Sequence, residues 1–124
     1  MSNNKINIIG WVGDNPKQKV FDDTNNRVTK ISVAVKNYGV KSKDDETTWF
    51  ECDAWNGLGD RIFEYVTKGR EIQVEGRLVV STYDKKVNGE TVKWPKVHIK
   101  MSDFHLCGKK PESKEENGSA ETPL

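Results

Sequence analysis

Residues 47–69 read Thr-Thr-Trp-Phe-Glu-Cys-Asp-Ala-Trp-Asn-Gly-Leu-Gly-Asp-Arg-Ile-Phe-Glu-Tyr-Val-Thr-Lys-Gly. Within this stretch the apolar period changes from two to nearly four. Phe50, Cys52 and Ala54 alternate with Trp49, Glu51, Asp53 and Trp55, the mark of a strand with two unlike faces. Leu58, Ile62, Tyr65 and Val66 then recur at helical spacing. They predict a helix over 57–68, with Asn56 as its N-cap and Gly69 as its C-terminal glycine. A strand thus runs directly into a single helix, and the flanking elements decide what that pair belongs to.

Both flanks read as β. Upstream, Ile6, Ile8, Ile9, Trp11 and Val12 form an apolar run bent by Gly10 and Gly13 and ended by Asn15-Pro16. Val20 and Phe21 prolong an extended segment up to the polar turn at 22–26. Val28, Ile31, Val33 and Val35 then alternate with polar residues in a second strand. Downstream of the helix, Ile72, Val74, Gly76 and Leu78 form a fourth strand. Asn88-Gly89 signals a tight hairpin turn. Val92, Trp94, Val97, Ile99 and Met101 mark a fifth strand, with Phe104 and Leu106 completing the core. The order strand, strand, strand, helix, strand, strand is that of an all-β, five-stranded Greek-key OB barrel with its helix between strands three and four.

The chain has 124 residues, 34% of them hydrophobic, which suffices for one core. From Lys109 onward the composition cannot bury enough surface to offset ordering. The expected organisation is a folded domain over 1–108 and a short disordered polar tail over 109–124. A net charge of +1 argues against a polybasic binder. The N-terminus lacks a secretory pattern and no apolar run nears membrane-spanning length, so a cytoplasmic protein without a membrane partner is expected. Cys52 and Cys107 lie far apart and make no CxxC, which argues against a disulfide framework or zinc site. His98 and His105 show no spaced carboxylate or cysteine partner that suggests a metal or triad and read as surface or packing residues. Gly10 and Gly13 make no phosphate loop. No catalytic residue, metal or cofactor is expected, and the chain does not read as an enzyme.

The chain carries four tryptophans, three tyrosines and four phenylalanines. Trp49 and Trp55 stand opposite an already apolar strand face, so burial cannot account for both. Tyr38 at the end of the second strand and Tyr83 on the hairpin join them. Trp94 is a further candidate, unless Pro95 starts a bulge that turns it inward. Trp11 reads first as interface or core and second as a platform. Flat rings on an exposed wall stack on nucleobases of any sequence, at about 1–3 kcal/mol per base. Lys30, Lys36, Lys68, Arg70, Lys85, Lys86, Lys93, Lys96 and Lys100 supply neighbouring cations for phosphate. Glu51 and Asp53, between the two tryptophans, oppose this reading.

Asn4 to Pro16, Ile31-Ser32-Val33-Ala34-Val35, Thr48 to Trp55, Tyr65-Val66-Thr67-Lys68-Gly69 and Val74-Glu75-Gly76-Arg77-Leu78 follow in the order found in bacterial single-stranded DNA-binding proteins. The chain resembles that family over most of residues 4–107. The resemblance implies base stacking at Trp49, Trp55 and Tyr83, more loosely at Tyr38, and phosphate contacts at Lys5 and Lys68. It also implies homo-oligomers, commonly tetramers, that coat single-stranded DNA at the nucleoid during replication, recombination or repair. Two departures stand out. Family members typically end in an acidic tip closing with Ile-Pro-Phe, whereas this chain reads Ser-Ala-Glu-Thr-Pro-Leu, so tail-mediated partners are not expected. Trp11 replaces a residue that is usually polar. The expected stacking set is Trp49, Trp55, Tyr83, Tyr38, Trp94 and Trp11. The expected phosphate set is Lys5, Lys30, Lys36, Lys68, Arg77, Lys85, Lys86 and Lys96. The rival readings are an RNA-binding module and an OB-fold scaffold subunit with Trp49 and Trp55 in a protein interface.

Overall fold

The computed structural model describes residues 1–37 and 47–108 of the chain. The elements run β1 (Ile6–Val12), β2 (Lys17–Val20), β3 (Arg27–Lys36), β4 (Thr47–Trp55), α1 (Asn56–Tyr65), β5 (Glu71–Val87) and β6 (Glu90–Cys107). Five of these strands close into a ring. β1 pairs antiparallel with β5, β5 with β6, and β3 with β4. β4 meets β6 in parallel through Glu51↔His98, Cys52↔Ile99 and Asp53↔Lys100. The end of β1 returns to β3 at Trp11↔Ala34 and Val12↔Val33. β2 is an additional edge strand on β3, where alternation alone shows only an extended segment.

Strand alternation sends one set of side chains into the ring. Ile8, Val12, Ile31, Val33, Cys52, Ala54, Ile72, Val74, Ile99, Met101 and Phe104 form the buried cluster. Ile62 of α1 and Val66 just beyond it join the same cluster and close one end of the ring. Each large apolar side chain buried this way contributes about 1.5–3 kcal/mol before ordering costs. Behind β2, Arg27 donates from Nε to Asp60 Oδ1 at 2.9 Å and from Nη2 to Oδ2 at 2.6 Å. Gln18 Nε2 donates to Asp60 Oδ1 and to Thr29 Oγ1, both at 3.0 Å. These bonds fix β2 to β3 and α1. The Arg27 guanidinium holds the Asp60 carboxyl below the usual carboxylate range.

The helix departs from its sequence pattern at both ends. It spans Asn56–Tyr65, and Trp55 takes the N-cap position without a side-chain cap bond. Asn56 is left-handed at φ 53°, and its Oδ1 accepts the Arg27 N–H at 2.9 Å. Its carboxamide thus serves the neighbouring strand instead of the helix start. Val66 is already extended, although its N–H still bonds Ile62 O at 3.0 Å. Gly69 lies in the turn towards β5, donating its N–H to Val12 O at 2.8 Å. Core burial of Val66 and pairing with β1 override the longer helical pattern. Among the described residues no helix is long and apolar enough to cross a membrane.

β5 and β6 are also longer than alternation shows, at 17 and 18 residues. Asn88 (φ 53°) and Gly89 (φ 83°) turn the hairpin, both in the left-handed region that such two-residue turns require. Beyond Val79↔His98 the eight pairs from Val80↔Val97 to Val87↔Glu90 form a two-stranded arm. At roughly 3.3 Å per residue it is about 26 Å long.

Burial, reinforced by the carboxylates of Asp53 and Glu51, pushes the Cys52 thiol up to about 12. Cys107, near the end of β6, is only partly buried. A thiol-specific chromogenic reagent at mildly alkaline pH should therefore label one cysteine in the native protein and two in denaturant. Mass mapping should place the native label on Cys107. Fast native labelling of Cys52 would contradict the inward register of β4.

Candidate nucleic-acid interface

The residues that alternate with the core leave the ring on its outer surface. From β4 these are Trp49, Glu51, Asp53 and Trp55. The register sets Lys17 of β2 opposite Lys30 of β3, and Lys30 opposite Asp53 of β4. Asp53 in turn pairs with Lys100 of β6, and Lys100 with Arg77 of β5. One row across five strands thus holds four cations and one carboxylate. At roughly 4.8 Å between strands it spans about 19 Å. Trp49 and Trp55 lie on either side of this row, about 20 Å apart along β4 at roughly 3.3 Å per residue.

Trp11, Trp49, Trp55, Tyr83 and Trp94 are between 37% and 59% exposed, so each ring has surface to offer. Trp55 stacks on Phe21, with ring centroids 5.9 Å apart and planes 18° from parallel. Lys19 Nζ lies 5.1 Å from the Phe21 centroid. Trp49 leans across β3 onto Gly13, where a Cβ would run into its Cζ3 and Cη2 atoms. Glycine at 13 is therefore a requirement of the Trp49 ring position. Trp11 also faces outward, opposite Ala34, which itself pairs with Trp49. Tyr83 and Trp94 face each other across the arm, and Lys85 Nζ lies 4.4 Å from the Trp94 centroid. Pro95 pairs with Thr82 without a bulge, so Trp94 stays outward; the register shift falls at Glu75/Gly76 instead. Tyr38 lies outside the described residues.

The remaining sequence-predicted cations divide. Lys30, Arg77, Lys85 and Lys96 share the outer face with the tryptophans, and Lys36 closes the same side of β3. Lys86 falls on the opposite side of the arm, paired with Thr91. Lys5 is exposed beside Asn4, whose carboxamide bonds the N–H and C=O of Leu78. Lys68 is exposed in the turn after α1, its backbone N–H donated to Asn15 Oδ1 at 2.9 Å. Sequence reasoning missed Lys17, Lys19 and Phe21, because nothing local marks β2 as part of this sheet.

Asp53 is only 7% exposed although it points outward. Lys30 Nζ donates to its Oδ1 at 3.0 Å and His98 Nδ1 to its Oδ2 at 2.7 Å. Both carboxylate oxygens are engaged, so Asp53 presents no free anion to the face. Glu51 remains exposed, with Lys96 Nζ at 4.0 Å. The carboxylate that His98 meets lies 45 residues away in the chain, on a neighbouring strand, and the pair packs the face. Among the described residues no group of three or more His, Cys, Asp or Glu side chains is placed to hold a metal ion.

Residues 3–105 match the model of the single-strand binding protein family. The chain belongs to that family. Relatives include single-stranded DNA-binding protein 1 of Synechocystis sp., 29% identical over 93% of this chain and 92% of its own length. The Nostoc sp. single-stranded DNA-binding protein 1 is 28% identical over 89% and 87%. The match to the corresponding Chlorobaculum tepidum protein, 28% identical, spans 66% of that longer relative. A solved Plasmodium falciparum SSB in complex with ssDNA superposes with a TM-score of 0.72, covering 87% of this chain and 97% of the other at 24% identity. The family fold is thus the OB arrangement expected from the order of elements, with β2 added at its edge.

In this single-strand binding family member, Gly13→Ala should force the Trp49 ring off its seat. Tryptophan emission should shift while the thermal transition remains cooperative. The same substitution in a Trp49→Phe background should leave the remaining emission unmoved; a persisting shift would place the disturbance elsewhere.

Proposed function

We propose that this chain binds single-stranded DNA without regard to sequence and without catalysing any reaction on it. The observation that carries this reading is the pair of outward tryptophans on β4, set on either side of a row of cations. Bases in a duplex already have both faces stacked. Only an unpaired strand can offer faces to Trp49, Trp55, Tyr83 and Trp94. Trp55 is braced by Phe21, and Trp49 is seated on Gly13. Both platforms are therefore held in place before a base arrives, which lowers the ordering cost of binding. Phosphates between the platforms meet Lys30, Lys100 and Arg77, and those along the arm meet Lys85 and Lys96. Asp53, held between Lys30 and His98, repels them less than a free carboxylate would.

Coating of exposed strands during replication, recombination or repair follows from such sequence-tolerant binding. A homo-oligomer, with the tetramer favoured, and residence in the cytoplasm at the nucleoid belong to the same proposal; the polar tail expected over 109–124 lies outside the described residues. The relatives' names describe single-stranded DNA-binding proteins, and the superposed Plasmodium protein is described in complex with ssDNA. They support this reading by likeness.

Titration with oligo-dT should quench tryptophan emission strongly, and duplex DNA should not. Trp49→Ala and Trp55→Ala should each weaken binding by about 1–3 kcal/mol while the fold persists. Log affinity should fall with log salt at a slope of roughly −0.7 per phosphate neutralised. Equal quenching by duplex would remove base stacking as the mode, and an equal response to oligo-U would extend the target to RNA.

A further inference from the structure

We infer that Trp11 and Trp49 form the two walls of a slot that receives one nucleobase between their indole rings. The inference rests on the single-stranded DNA reading and deepens it, because it assigns Trp11 a base instead of a subunit contact. Trp11, Ala34 and Trp49 stand in register on three adjacent strands, β1, β3 and β4. Between the two indoles, Ala34 presents only a methyl group. The Trp49 ring does not stand straight up from β4; it leans across β3 to lie over Gly13. Gly13 follows Trp11 by two residues and lies opposite Ser32, so it occupies the next position on the outer face. Positions two apart on a strand are separated by roughly 6.6 Å. One base held between two rings needs two stacking steps of about 3.4 Å each. The strand thus separates the root of Trp11 from the seat of the Trp49 tip by about the distance that a sandwiched base requires.

Both walls are fixed by the backbone. At Trp11, β1 pairs with Glu71 of β5 on one side and with Ala34 of β3 on the other. Trp49 is held at its base by pairing with Ala34 and at its tip by Gly13. Trp11 is nevertheless 42% exposed and Trp49 59%, so the rings are anchored at their Cα positions and keep free surface. Lys36 is the next outward residue after Ala34 on β3 and is exposed, a cation two positions along the strand from the slot floor. Trp55, by contrast, has Phe21 stacked upon it and works as a single platform.

The test is a double-mutant cycle on the full chain with a short oligo-dT as probe. A shared base makes the two tryptophans interdependent, whereas independent platforms multiply. Trp11→Ala and Trp49→Ala should each weaken binding at least fivefold. The double variant should lose at least threefold less than the product of the two single losses. Trp11→Phe should recover most of the Trp11→Ala loss. Sedimentation mass and thermal melting of all variants should match the parent protein. Losses that multiply to within twofold, no loss in Trp11→Ala, or a changed mass in that variant would each overturn the slot. Failure of the parent protein to bind oligo-dT would instead overturn the single-stranded DNA reading itself.

Discussion

The outer face depends on a short parallel pairing, Glu51–Asp53 of β4 against His98–Lys100 of β6. It joins the β3–β4 hairpin to the β1–β5–β6 sheet and so closes the ring. Closure leaves one dry interior, and every strand must choose which alternate set enters it. On β4 the interior takes Cys52 and Ala54, both fully buried. A slip of one residue would bury Trp49 and Trp55 and turn the small core residues outward. Site and core are two faces of the same register.

That pairing also carries Asp53, among the described residues the one carboxylate buried on the outer face. Asp53 lies where β3, β4 and β6 come side by side, and it draws one donor from each flanking strand. Removing a partner would strand much of a buried charge, the costly case for ion pairs. Lys30 is half exposed, so part of that cost returns to solvent. The arrangement clamps three strands from outside the core and limits how much negative charge the cation row must tolerate.

The ring was legible in the sequence where period-two patterns were undisturbed, as in Ile31-Ser32-Val33-Ala34-Val35 and around Trp49. The Asn88-Gly89 turn was legible because its chemistry is local. Other features were not, for identifiable reasons. β2 has only four residues and mostly exposed side chains, so no alternation announces it. The helix ends were set by a backbone bond from Arg27 and by the pairing of Gly69 with Val12, partners distant in the chain. The hairpin and its second strand were announced by Asn88-Gly89 and Val92, but the run of β5 beyond Leu78 was not, because both faces of the arm meet solvent and a strand without a buried side loses its hydrophobic signature. Of the candidate site, the exposure of Trp49 and Trp55 followed from counting faces. The pairing of Asp53 with His98, the brace from Phe21 and the seat at Gly13 all required knowing which strands lie side by side.

The arm separates reach from stability. Its eight residue pairs carry Tyr83, Trp94 and Lys85 away from the ring, yet contribute no member of the buried cluster. Each pair inserted or removed near Asn88-Gly89 would change the projection by roughly 3.3 Å and alter no core contact. The length of strand that one copy can span is thus an adjustable dimension of the molecule, free to drift or be selected at the tip while the fold beneath it stays constant.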